Sequence, residues 1–236
     1  EGPIVENIQE TETDEPEFSF RPTGLEAVRW SQINLLSLAN NHMMEKAEKG
    51  LEETIDWLQR YQIHFIGSPL SLFSDSINIK NSYFTIDQFI FMAFNRILRN
   101  IDYQEEIIKE IQKARQSNPD KMIIVSIHWG HEYELSSSIQ QRDLAQRIIA
   151  SGADVIVGHH PHVAQEIELI QDKLVFYSLG NFIFDQQFLP ETKEGLLTGL
   201  TIENDKLTFR LFPIKNQDGQ PILMSQKETE LFLKNL

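Results

Sequence analysis

Two short, nearly unbroken apolar runs limit the fold more than anything else in this chain: Met122-Ile-Ile-Val-Ser-Ile127 and Asp154-Val-Ile-Val157. A strand with one wet face alternates apolar and polar residues, whereas an unbroken run needs cover on both faces. Between them, Leu144, Ala145, Ile148 and Ile149 recur at helical spacing over residues 139–151, and Gly152 supplies the stop. Strand, helix and buried strand in succession predict a layered α/β domain and exclude a helical bundle or an all-β sandwich.

The rest of the chain extends this pattern. Residues 5–24 are polar, acidic and broken by Pro16, Pro22 and Gly24, which predicts a long exposed loop. Ile33–Leu38 reads as a buried strand, and a helix follows from about Glu45 to Arg60, with Ala47, Leu51, Thr54, Ile55 and Leu58 on one face. Ile63–Ile66 reads as the next strand. Phe84–Ile86 and Phe89–Phe94 suggest a hairpin within the poorly patterned stretch 68–100, and Tyr103–Arg115 a helix striped by Ile107, Ile108, Ile111 and Ala114. Beyond residue 162 the chain predicts hairpins, Val163–Ile170 with Leu174–Leu179 and Leu196–Ile202 with Leu207–Phe212. Ser225 with Glu228 marks the capped start of a last helix. We expect one domain over residues 1–236.

Composition narrows the partners. The net charge of −14 argues against nucleic acid, which needs clustered Lys and Arg. Seven acidic residues fall within the first 17, from Glu1 to Glu17, without a base; we read them as a solvated loop. Cysteine is absent, which excludes a disulfide-stapled scaffold. No run is long enough for a membrane helix, and no start Met or signal-peptide pattern is present, so the opening Glu1-Gly-Pro-Ile4 reads as the interior of something longer. Any anchor is expected upstream of Glu1.

Chemistry-bearing residues gather at three strand ends: Asn40-Asn-His42, His128-Trp-Gly-His-Glu132 and His159-His-Pro-His162. Six of the seven histidines lie in them, and His64 is read as a structural residue on its strand. Ligands of open α/β sheets bind beyond the carboxyl ends of strands, so such clusters are expected to converge. Pro161 should drive His160 into extended geometry, where positions i and i+2 point the same way, and thus bring His160 and His162 to one metal centre. His159 would then point away. Imidazoles with an amide such as Asn41 favour Mn²⁺, Fe or Zn²⁺ over Mg²⁺ or Ca²⁺. Each cluster also has a structural reading: Asn-Asn-His as a helix cap, His-Trp-Gly as an aromatic corner and His-x-His as coincidence.

At these residues the chain resembles the CapA capsule-synthesis family. The likeness is carried by Ser37-Leu-Ala-Asn-Asn-His42, Ile127-His-Trp-Gly-His-Glu-Tyr133, Gly152-Ala-Asp-Val-Ile-Val-Gly-His-His-Pro-His-Val163 and Tyr177-Ser-Leu-Gly-Asn-Phe-Ile-Phe-Asp185. The resemblance implies a metallophosphoesterase-like layered α/β/β/α sandwich whose N-terminal strand, with a Gly-Asp metal motif, is missing here. It also implies that Asn41, His128 and His160 hold one metal and His162 a second. His42 would be the general acid beside the site, and Glu1 would stand where the bridging carboxylate usually is. Glu45 and Ala47 depart from the family's usual Asp and Gly.

The implied function is a metal-dependent phosphoesterase-type hydrolase serving poly-γ-glutamate or capsule synthesis at the cell surface, acting on a phosphate ester or polymer. The competing expectations are a non-catalytic accessory subunit of a membrane poly-γ-glutamate synthase and an unrelated cytosolic phosphoesterase.

Overall fold

The computed structural model describes residues 1–7, 18–67, 83–97, 104–186, 188–203 and 206–236, and they divide into two units. The first comprises Glu1–His128 with Ala150–Asp154, the second Trp129–Ile149 with Val155–Leu236. Most of the expected acidic loop, the start of the 103–115 helix and the turn at 204–205 lie outside the described residues.

The first unit opens with residues 2–5 laid along residues 18–20, where Val5 N donates to Phe20 O and Phe20 N to Pro3 O, each at 2.9 Å. Ile4 N then donates to the Thr54 hydroxyl at 2.7 Å. A short helix α1 (Gly24–Trp30) buries Leu25. Strand β1 (Leu35–Ser37), helix α2 (Ala47–Arg60) and strand β2 (His64–Ile66) make a parallel crossover, Leu35 pairing with His64. Of the α2 face that the spacing picks out, Leu51, Thr54 and Leu58 are buried, the two leucines packing with Leu38, Met43, Ile63 and Phe65. Ile55 is half-buried, and Ala47 is exposed at φ +54°.

The expected hairpin forms as β3 (Tyr83–Ile86) and β4 (Phe89–Asn95). Helix α3 (Gln104–Ser117) carries the chain to β5 (Met122–His128), which runs parallel to β4 with Asn95 opposite His128. Ile90, Met92, Ile123, Val125 and Ile127 are all fully buried, as an unbroken apolar pattern demands. Arg115 at the end of α3 donates to the carbonyls of Gly152 and Lys121 and to Asp154, tying the 150–154 turn to this unit.

In the second unit, α4 (Ile139–Ala150) buries Leu144, Ala145, Ile148 and Ile149. Strands β6 (Val155–His159), β7 (Ile167–Ile170) and β8 (Lys173–Phe176) pair in the order β6, β8, β7, with β6 parallel to β8 and β7 antiparallel to it. The β7–β8 turn is Gln171-Asp172, both at positive φ, and Lys173 already belongs to the strand. An antiparallel meander follows: β9 (Glu194–Glu203), β10 (Lys206–Gln217) and β11 (Gln220–Leu223). Strand β11, which the sequence reading did not pick out, is reached through Asp218-Gly219, both at positive φ as a two-residue hairpin turn requires. Helix α5 (Gln226–Lys234) begins with the expected reciprocal cap between Ser225 and Glu228. Among the described residues, no helix is long and apolar enough to cross a membrane.

Candidate metal centre

In the first unit the residues after β1 turn back on themselves, because the Asn40 side chain accepts from His42 N at 3.1 Å. This loop does not cap α2, whose N-cap is Lys46 without a side-chain bond, so the helix-cap reading of Asn40-Asn-His42 fails. Asn41 is spent instead on its neighbours. Its Oδ1 accepts from His128 Nε2 at 2.7 Å, and its Nδ2 donates to His42 Nε2 at 3.1 Å. His42 Nδ1 pairs with the Glu45 carboxylate, which also accepts from Phe18 N, and the Phe18 ring meets His42 edge-on at 4.5 Å. These bonds hold the His42 proton at Nδ1.

His128 sits at the end of β5, only 3% exposed. The Glu1 carboxylate lies 3.8 Å from its other nitrogen, Nδ1. Asn41 and Glu1 thus approach His128 from opposite ring atoms, an arrangement in which one neighbour can share an ion and the other can orient the ring. The 2.7 Å between Asn41 Oδ1 and His128 Nε2 is a hydrogen-bond distance. Ligands on ~2.1 Å bonds at tetrahedral angles stand about 3.4 Å apart, so to share an ion in place of the proton the pair would part by about 0.7 Å.

The second unit brings together Glu132, His160 and His162, whose ligand atoms all lie within 4.8 Å of one another. Ligands on ~2.1 Å bonds at tetrahedral angles stand about 3.4 Å apart, so closing three such atoms on one ion needs each to move by under about 1 Å. His160 and His162 are buried and Glu132 is exposed, so the carboxylate is the group with freedom to move.

The backbone delivers the two imidazoles in a way the sequence did not indicate. His160 is not extended: its φ is +97°, and that of His162 is +61°. The proline does exclude helical geometry, but the chain escapes to the left-handed side, which non-glycine residues rarely occupy. Such residues cost about 1–3 kcal/mol each and persist where their surroundings dictate them. Here Tyr133 N donates to Pro161 O at 2.8 Å, the Tyr133 ring stacks on His162 at 6.1 Å, and Phe184 lies 4.9 Å from it. His159 is half-buried, and burial lowers its pKa to about 4, which keeps it neutral near pH 7.

His-Trp-Gly is an aromatic corner as well as a site. Trp129 is buried, stacks on Tyr177 at 5.9 Å and donates Nε1–H to Tyr177 O at 2.8 Å. His64 is exposed on β2 beside Phe84 and belongs to neither group. His131 is exposed and outside the Glu132 group. The sequence motifs contain Glu132 and Asn181 without assigning them roles, and Glu45 entered only as a departure from the family's usual Asp. Glu45 had a local signal, lying one helical turn beyond His42. Asn181 had none, because 19 residues separate it from His162, to which it is hydrogen-bonded.

Known proteins bear on the chain as a whole. It is 31% identical over 222 residues to the capsule biosynthesis protein CapA of Bacillus anthracis, covering 86% of this chain and 53% of that one. It is 30% identical over 201 residues to the PGA biosynthesis protein CapA of Bacillus subtilis, covering 80% and 52%. A probable polyglutamine synthesis accessory protein of Mycobacterium tuberculosis matches at 21% over 211 residues, covering 77% and 55%. The chain therefore spans about half the length of these relatives. Among solved structures, the Thermus thermophilus thiohydrolase SoxB aligns over 90% of this chain and 38% of its own, at 16% identity and a TM-score of 0.47. A purple acid phosphatase from yellow lupin aligns over 86% and 48%, at 11% identity and a TM-score of 0.40. The profile of the bacterial capsule synthesis protein family PGA_cap matches residues 1–186, and the chain belongs to that family.

Proposed function

We propose that this chain is a divalent-metal-dependent phosphoesterase-type hydrolase serving capsule or poly-γ-glutamate synthesis at the bacterial cell surface. The observation that carries the reading is the grouping of Glu132 with the buried imidazoles of His160 and His162. The pairing of Asn41 with His128 supports it. By the family pattern Asn41, His128 and His160 serve one ion and His162 the other, with Glu1 as a further carboxylate. Within the second unit Glu132 joins His160 and His162 as a ligand. The imidazole-rich set favours Mn²⁺, Fe or Zn²⁺. A bound ion supplies Lewis acidity toward a phosphoryl oxygen and lowers the pKa of water toward neutrality.

The protein's own part in the reaction is to hold and move a proton. Glu45 holds one proton at His42 Nδ1, so His42 acts as a general acid only as the imidazolium, passing its second proton from Nε2 to the leaving oxygen. Asn41 Nδ2 now occupies Nε2 and must turn aside for that transfer. The net charge of −14 repels a polyanion at long range, so contact with poly-γ-glutamate would run through bound cations.

A second reading, a non-catalytic accessory subunit of a membrane polyglutamate synthase, draws support from the name of the mycobacterial relative. Hydrolysis of bis(p-nitrophenyl) phosphate with added Mn²⁺ separates the two. The hydrolase reading expects turnover that His160→Ala and His162→Ala abolish. Tight ion binding without turnover would favour the accessory role. Fractionation of expressing cells tests location, and recovery in the cytosol would overturn the surface assignment.

A further inference from the structure

The motif Tyr177-Ser-Leu-Gly-Asn-Phe has no part in the chemistry above, yet its asparagine touches a proposed ligand. Asn181 Oδ1 lies 2.9 Å from His162 Nδ1, and both residues are more than nine-tenths buried. The orientation of this amide is fixed from its other end. Asn181 Nδ2 donates to the Thr192 carbonyl at 3.0 Å and to Gln186 Oε1 at 3.4 Å. A carbonyl can only accept, so the NH₂ group must face Thr192 and the oxygen must face His162. Thr192 is itself held, its hydroxyl shared between the carbonyls of Leu189 at 2.9 Å and Gln186 at 3.2 Å.

The consequence for the imidazole follows by elimination. Against an oxygen acceptor, Nδ1 must carry the hydrogen, and in a neutral ring the lone pair then lies on Nε2. We infer that Asn181 is a positioning residue that holds His162 as the Nδ1–H tautomer and presents Nε2 for metal coordination. The inference rests on reading Glu132, His160 and His162 as a metal group. Outer partners of this kind orient ligand histidines and typically change metal affinity by about 10–100-fold. The ring is also flanked by Tyr133, stacked on it, and by Phe184, inclined to it, so the hydrogen bond selects the tautomer of a ring that packing already holds.

Two readouts keep the inference and the metal reading apart. In metal-free protein at mildly alkaline pH, ¹H–¹⁵N multiple-bond spectra report the tautomer, with His162→Gln assigning the signals. The wild-type ring should be Nδ1–H, and Asn181→Ala should release it toward Nε2–H. Asn181→Asp keeps the acceptor and should keep the tautomer. In a Zn²⁺ titration Asn181→Ala should bind about 10–100-fold more weakly than wild type, with Asn181→Asp between them. An Nε2–H ring in the wild-type protein overturns the inference without any variant. So does Zn²⁺ binding by Asn181→Ala equal to wild type. Wild-type protein that binds no Zn²⁺ at all removes the metal reading instead, whatever the tautomer.

Discussion

Gly158 lies in β6 two residues before His160, where the backbone of the next strand comes so close that a side chain has no room. A methyl group there would sit 1.9 Å from Tyr177 O, 2.5 Å from Trp129 Nε1 and 2.7 Å from Tyr177 C. Moving the carbonyl from 1.9 Å to the 3.0 Å that Cβ contacts observe takes 1.1 Å. A shift of that size opens the 2.8 Å bond from Trp129 to Tyr177 O beyond hydrogen-bonding range. Losing a buried bond with both partners stranded costs about 1–3 kcal/mol. Forcing a methyl group into a filled core costs about 1–3 kcal/mol more. Gly158→Ala should therefore lose about 4 kcal/mol, a large part of a stability near 5–15 kcal/mol. For a chain of this size that lowers Tm by roughly 8–16 °C. Urea unfolding followed by tryptophan fluorescence reads it as a lower midpoint at constant slope. Gly24→Ala, with nothing within 4 Å of the added carbon, is the control and should stay within about 0.5 kcal/mol. A Gly158→Ala midpoint within about 1 kcal/mol of wild type would refute the close approach of β6 to Tyr177.

Three further outcomes follow from the site and its surroundings. His42→Gln should lower phosphodiester turnover by roughly 100-fold while leaving Mn²⁺ content unchanged by elemental analysis; a lost ion would make His42 a ligand. Mn²⁺ at about 100 times its dissociation constant should stabilise the chelator-stripped protein by ~2.7 kcal/mol in thermal melts, and a melt indifferent to millimolar-range metal would contradict the metal reading. Burial raises the Glu166 pKa, but hydrogen bonds from Ser137 and the charge of Arg142 outweigh it and leave the carboxyl below its ordinary value. Its contribution is therefore present at neutral pH and lost as pH falls through the lowered pKa, so the urea midpoints of Glu166→Gln and wild type should differ at neutral pH and converge once pH falls below that lowered value.

Local pattern made the elements legible, and long-range pairing accounts for what was not. The stripe of α2 and the unbroken runs of β5 and β6 state their burial in the residue types themselves. Strand β11 was missed because Gln220-Pro-Ile-Leu223 is short and half-exposed, although Asp218-Gly219 is a strong hairpin signal. Asn41, His42 and His128 were legible as candidates because strand ends gather ligands. That His128 divides its two nitrogens between Asn41 and Glu1 was not, since ring orientation depends on packing. The positive φ of His160 was hidden because a following proline excludes helix without choosing between the remaining alternatives. Glu132 was visible as a residue, but only the turn after β5 shows which way it faces.

The way the strands pair also sets the order in which the chain can assemble. Strands β10 and β11 join across Asp218-Gly219, and β9 and β10 across a comparably short gap, so this meander closes only small loops. Hairpins of that kind form in about 1–10 μs. Asn95 must find His128 and Leu35 must find His64 across intervals of some thirty residues, each containing a helix, and the entropy of closing those loops comes first. Pulse-labelled amide exchange should accordingly protect β10 before β5, and simultaneous protection would contradict the order. The ends of β1 and β5, which carry Asn41 and His128, are then among the last segments to take shape. A substitution in α2 or α3 far from either residue could delay the arrival of a competent site while leaving its final geometry untouched.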